Sequence, residues 1–121
     1  MELIFEKEST DVRGKVIFLR YGKKRINLVE TKKGFSRGGH YHDFESKHIL
    51  ISGIIEYREK NLQTNVEVTQ IISIPSVMIT TPKNPHMITA ITDCIFAEEF
   101  EQDYSAVDYP EYRKIITQQL I

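Results

Sequence analysis

The sequence predicts an all-β protein, an antiparallel sandwich or barrel, with one short helix at its C-terminal end. Three observations lead there. Segments rich in β-branched and aromatic residues follow one another along most of the chain, separated by Gly, Pro, Asn, Asp or clusters of charge. Turn signals return roughly every ten residues, the rhythm of strand meanders rather than of alternating strands and helices. Helical periodicity is confined to the last part of the chain.

The strands are expected in the order "ELIFEKE", "KVIFLRYG", "RINLVETK", "KHILISGIIEYRE", "NVEVTQIISI", "VMITT", "HMITAI" and "CIFAEEF". Gly53 interrupts the fourth segment and marks a bend or bulge between two strands. "EKNLQTN", residues 59–65, reads as a hairpin loop. In "VDYPEYRKIITQQLI", Asp108 is placed to cap a helix and Pro110 suits its first turn. Tyr112, Ile115, Ile116 and Leu120 then share one face, which should pack against the barrel or a partner subunit. One domain spanning 1–121 is expected, with the barrel over about 11–100 and the helix over about 109–120.

Composition narrows the partners. The 121 residues are 40% hydrophobic and 27% charged, ordinary values for a soluble globular chain. Sixteen basic and 17 acidic residues leave a net charge of −1, which gives no pull toward nucleic acid or an anionic membrane surface. Lys23, Lys24 and Arg25 read as a solvated hairpin tip, with no aromatic platform beside them. The single cysteine, Cys94, excludes an internal disulfide and reads as a small buried hydrophobe. The start of the chain lacks a basic segment followed by an apolar one, and no apolar run is long enough to span a bilayer. A reducing, cytoplasmic setting is therefore expected.

Three of the four histidines fall within "FSRGGHYHDFESKHILISG". Strand side chains alternate, so His40 and His42 project to one side and Tyr41 to the other. At about 6.5–7 Å between their Cα atoms, the two imidazoles can converge on one ion. His86, at the start of a strand after a Pro-rich turn, is the distant histidine available as a third ligand. The same three side chains also suit proton transfer, or a set of neutral histidines in a polar barrel mouth. Ser46, His48 and Leu50 share one strand face and Lys47, Ile49 and Ile51 the other. Both faces are similarly hydrophobic, so His48 is read either as a buried, hydrogen-bonded histidine or as a ligand or general base.

"GGHYH…SGIIEY…IISIPSVMITTPKNPHMITAI" resembles the two sequence motifs of the cupin superfamily, small double-stranded β-helix (jelly-roll) barrels. "DVRGKVIFLR…LVETKKGFSRGGHYH" is similar to the sugar-nucleotide branch. That branch holds dTDP-4-dehydrorhamnose 3,5-epimerases, dTDP-keto-hexose isomerases and the C-terminal cupin of capsular-polysaccharide epimerase/reductases. The resemblance covers about residues 11–100 and is more specific for fold than for activity.

The resemblance implies a metal set of His40, His42 and His86, around a divalent transition metal such as Zn²⁺, Fe²⁺ or Ni²⁺. The fourth ligand of the pattern is a glutamate seven residues before a glycine. Counting back from Gly53 reaches Ser46, and Glu45, one residue earlier, is the candidate fourth ligand if its loop shifts to point it inward. The second motif also lacks its glycine, so Lys83 or Asn84 must hold that turn. In the epimerases of this branch the position of His40 is a general base beside a keto group, and a late tyrosine, here Tyr104, returns the proton. Arg37 and Arg13 would then bind a diphosphate, and His48 joins them as a candidate substrate-binding residue.

Three functions follow. The first is a metal-binding cupin with a polar pocket for a small molecule, which the branch implies is a sugar nucleotide. The second is a metal-free epimerase or isomerase using His40 as base. The third is a ligand-binding cupin without turnover. A homodimer is expected, because small jelly rolls have exposed edges that partner strands cover.

Overall fold

The alternating segments pair into two antiparallel sheets in the computed structural model, which describes residues 1–101 and 104–121. Among these residues the strands are β1 (Leu3–Asp11), β2 (Gly14–Tyr21), β3 (Lys24–Thr31), β4 (Ser36–Tyr41), β5 (Ser46–Ser52), β6 (Ile55–Asn61), β7 (Val66–Ile72), β8 (Val77–Thr80), β9 (His86–Ala90), β10 (Cys94–Phe100) and β11 (Val107–Asp108). One helix, α1 (Pro110–Gln119), follows. The first sheet has the order β1-β2-β3-β10-β5-β8 and the second β11-β4-β9-β6-β7. Strands distant in sequence lie side by side, as β10 does between β3 and β5, so the two sheets wrap around one core as a jelly roll.

Alternation decides what fills the interior. Val29, Leu50, Ile55, Tyr57, Ile88 and Phe96, from both sheets, form the apolar core. In β9, His86, Ile88 and Ala90 share one parity and Met87 the other, and all four are buried. Met87 is covered because Tyr112 and Ile116 of α1 pack over it on the outside of the sheet. Cys94 is buried, and burial raises its thiol to about 11, so it behaves as the small hydrophobe its sequence context predicts.

The helix begins differently from the local expectation. Its N-cap is Tyr109, with no side-chain cap hydrogen bond. Asp108 belongs to β11, where its Cα is paired with that of His40. Tertiary strand pairing thus takes the residue that local capping chemistry would have used. Pro110 opens the helix, and Tyr112 and Ile116 are buried, whereas Leu120 stays 43% exposed. No helix among the described residues is long and apolar enough to cross a membrane.

The glycine pair before the histidines seats both the helix and the neighbouring strand. Gly38 and Gly39 have φ of +93° and +75°, a region that costs side-chain-bearing residues energy. A Cβ on Gly38 would lie 2.9 Å from the His86 carbonyl oxygen, and one on Gly39 2.8 Å from Ile116 Cδ1. Their carbonyls receive Arg113 Nη1 at 3.1 Å and the Tyr109 N–H at 2.9 Å, which ties α1 to β4.

Candidate metal centre

Three imidazoles converge inside one end of the barrel. His40 is the penultimate residue of β4 and is paired across the sheet with His86 of β9, and His42 is the first residue beyond β4. The His40 ring centroid lies 4.7 Å from that of His42 and 5.0 Å from that of His86. One ligating nitrogen from each of the three falls within 4.8 Å of the others. An ion with bonds near ~2.1 Å spans ligands up to ~4.2 Å apart, so small ring rotations close the set.

The surroundings prepare these rings for an ion. His42 Nδ1 lies 2.7 Å from the Ser105 carbonyl oxygen. A carbonyl only accepts, so Nδ1 carries the proton and Nε2 is left with its lone pair, the arrangement that orients metal-bound histidines. His86 is 2% exposed, and its Nδ1 is buried without a hydrogen bond of good geometry. Burial holds all three in the neutral form, the one that metals bind. It lowers His40 to about 4, helped by His42 and Arg113, and lowers His42 against the Ser105 hydrogen bond. His86 is pushed well below its ordinary value by burial and then by His48, His40 and His42. Three neutral imidazoles, one of them with a buried Nδ1 that lacks a hydrogen bond of good geometry, fit a divalent transition metal.

The parity that the sequence leaves open at β5 resolves inward. Ser46, His48 and Leu50 are buried, and Lys47 and Ile51 are exposed. The His48 ring centroid is 5.2 Å from that of His86, and its Nδ1 also lacks a partner. Burial lowers it to about 3. His48 is not one of the converging set. Nor is Glu45, whose side chain is exposed, so the structure does not bring it to the histidines. Ser46, in the glutamate's place, has a buried hydroxyl without a partner.

The two arginines are already engaged. Arg13 binds Asp11 through Nε and Nη2, the latter at 2.7 Å, and its Nη1 reaches the Ser36 carbonyl at 3.2 Å. It is a salt bridge at the β1–β2 turn, and its hydrogen bond holds the Asp11 carboxyl below the usual range. Arg37 lines the histidine cavity, but its Nε donates to Thr31 Oγ1 at 3.2 Å and its Nη2 to the Glu30 carbonyl at 2.8 Å. Neither guanidinium is held open for a diphosphate.

Tyr104 stands edge-on to the pair, 6.0 Å from the His40 ring and 5.3 Å from His42. It is 49% exposed, and its phenol is raised to about 12 by burial and by the charges of Glu98 and Asp108. Phe44 stacks on His42 at 4.7 Å, and Phe100 stacks on Phe44 at 5.5 Å. These aromatics cover the histidines on one side. The Pro-rich turn is fixed nearby, as the Lys83 N–H donates to the His42 carbonyl at 2.6 Å. Lys83, with φ of +68°, takes the left-handed position, and Asn84 instead donates to Glu59 at 2.7 Å.

Sequence reading missed Glu98. It lines the same cavity as His40, His48 and His86, and accepts a hydrogen bond from Asn27 Nδ2 at 3.3 Å. Burial raises its carboxyl, opposed by the Asn27 hydrogen bond and the Arg37 charge. A signal existed: Cys94, Phe96, Glu98 and Phe100 share one strand parity, so the glutamate sits in an inward apolar column. The cavity that Phe96 and Glu98 line with His40, His48 and His86 measures about 10 Å³, the scale of one water or ion.

No family model matches the sequence, and no curated protein sequence matches it. Solved structures match the fold. The capsular polysaccharide assembling protein CapF from Staphylococcus aureus superposes with a TM-score of 0.71 over 88% of this chain and 34% of CapF, at 16% identity. A mutant of the Bacillus subtilis oxalate decarboxylase OxdC superposes with a TM-score of 0.77 over 88% of this chain and 32% of that one, at 12% identity. The chain has the cupin fold. A second oxalate decarboxylase structure from B. subtilis, studied for its Mn(II) centres, matches at 17% identity with a TM-score of 0.75, over 88% of this chain and 31% of that one. This chain thus spans about a third of the length of each, and at such identities the likeness is one of fold.

Proposed function

We propose that this chain is a metal-binding cupin in which His40, His42 and His86 hold one divalent transition metal. The observation that carries the reading is the convergence of three neutral imidazoles, two buried and one half-buried, one of them fixed by the Ser105 carbonyl with its other nitrogen free. An all-imidazole set favours borderline metals such as Zn²⁺, Fe²⁺ or Ni²⁺ over harder ions. The B. subtilis oxalate decarboxylase with Mn(II) centres makes Mn²⁺ worth including in any comparison. Bound there, the ion would act as a Lewis acid toward a ligand oxygen. Tyr104, Phe44 and Phe100 would set what reaches it. The test is titration of metal-free protein with Co²⁺, watching for the visible absorption of a four- or five-coordinate site. Saturation at one equivalent supports the reading, with loss in His40→Ala, His42→Ala and His86→Ala. A featureless spectrum in the intact protein refutes it.

The fold it shares with CapF supports a sugar nucleotide as the small-molecule ligand, with His40 as base and Tyr104 as acid in an epimerase-type reaction. The engaged arginines and the 10 Å³ cavity weigh against a large ligand inside the barrel, which leaves the rim beside Tyr104 as its place. Deuterium exchange from solvent into a keto-sugar nucleotide, lost in His40→Ala, is the outcome that reading requires.

A homodimer fits the exposed edges. β1 is exposed along its whole length, Leu3 and Phe5 at 58% and 57%. A groove of about 710 Å³ lies at the β7 and β8 edges, lined in part by Val66, Val68, Val77 and Ile79. Unpaired apolar edges of this kind invite a second strand. Light scattering at about twice the monomer mass would support the dimer, and monomer mass at high concentration would refute it.

A further inference from the structure

The proposed ion raises a question of charge. Three neutral imidazoles would place two positive charges beside Arg37, whose side chain is 11% exposed and lines the same cavity. Buried charge is costly unless it meets a counter-charge. Position 46 offers only a serine hydroxyl, and the Glu45 side chain is turned to solvent. Among the residues lining the cavity of His40, His48 and His86, Glu98 is the carboxylate.

Its place is set by the fold on both sides. In β10 the Cα of Glu98 pairs with that of His48 on β5 and with that of Asn27 on β3. Inward parity puts its half-buried side chain with the buried Phe96 and Phe100, a column where an unused carboxylate is expensive. Asn27 Nδ2 holds one of its oxygens at 3.3 Å. The cavity beside it has room for one water or ion, the buried Nδ1 of His48 lacks a partner, and that of His86 has no hydrogen bond of good geometry.

We propose that Glu98, reaching in from β10 but outside the converging set of three, is the carboxylate that balances the ion of the three-histidine centre through one water. It takes over from a different strand the role that Ser46 cannot fill. The inference rests on the metal reading above and extends it. Zn²⁺ affinity of the full chain, measured by competition with a chromophoric chelator, tests it. Glu98→Gln should weaken Zn²⁺ binding by about 10- to 100-fold, the usual effect of removing such a partner. Glu99→Gln, one residue on and paired with Lys24, should not change it. Adding Ser46→Glu to Glu98→Gln should recover most of the loss. Should Glu98→Gln fail to fold, the infrared difference spectrum of the intact protein with and without Zn²⁺ decides. A shifted carboxylate stretch is expected, and its absence overturns the proposal. Wild-type protein that binds no Zn²⁺ overturns the metal reading itself. Wild-type and Glu98→Gln protein binding equally tightly overturns only the role of Glu98.

Discussion

Lowering the pH of metal-free protein from 7 to 5 should remove about 4 kcal/mol of stability through His40 and His48 alone. Their ordinary value is 6.5, and burial lowers them to about 4 and about 3 in the folded chain. The sign follows from proton counting. At pH 5 the unfolded chain protonates both rings and the folded chain almost neither, so acid favours unfolding. The loss begins below about 6.5 and grows until the folded values are reached. Each ring contributes about 2 kcal/mol between pH 7 and pH 5 by linkage. His42 and His86 shift in the same direction, while the raised carboxyl of Glu98 works the opposite way. Urea denaturation of chelator-treated protein at both pH values reads the effect. With a slope of about 2 kcal/mol per molar, the midpoint should fall by roughly 2 M. His48→Gln should remove about half of the difference. Coincident midpoints at pH 7 and pH 5 would refute the claim that the histidines are buried in the neutral form.

Four further outcomes follow from the packing. Gly38→Ala, whose Cβ would press on the His86 carbonyl, should part β4 from β9 and weaken Co²⁺ binding at least tenfold, read by titration. Gly39→Ala, crowding Ile116 and Arg113, should cost about 2 kcal/mol or more in urea denaturation. Ile116→Ala, at a fully buried position of α1, should cost about 3 kcal/mol in the same assay. Lys83→Gly should stabilise by about 1 kcal/mol, because it removes a side chain from a left-handed backbone, and thermal unfolding would show it.

Strand alternation made most of the barrel readable, and with it the shared face of His40 and His42. His86 was legible as the third histidine because it opens a strand behind a rigid turn. The direction of His48 was not, since Ile49 and Ile51 make the opposite face of β5 equally apolar. Only the pairing of β5 between β10 and β8 turns it inward. Asp108 read as a cap because capping is local, and its pairing with His40 depends on a strand far away in sequence. The Arg13 and Arg37 partners, and the Ser105 carbonyl behind His42, are likewise set by tertiary contacts. Glu98 was readable from its parity, but a charged residue in an apolar column looks like a strand edge until the cavity is seen.

Elemental analysis of untagged protein, purified without chelators or added metal, tests the central claim most directly. Close to one equivalent of a transition metal per chain is expected, lost when His86 is replaced by alanine. Protein that carries no metal and takes up none of Zn²⁺, Fe²⁺, Ni²⁺ or Mn²⁺ would contradict it, and His40, His42 and His86 would then form a proton-transfer or ligand-binding site.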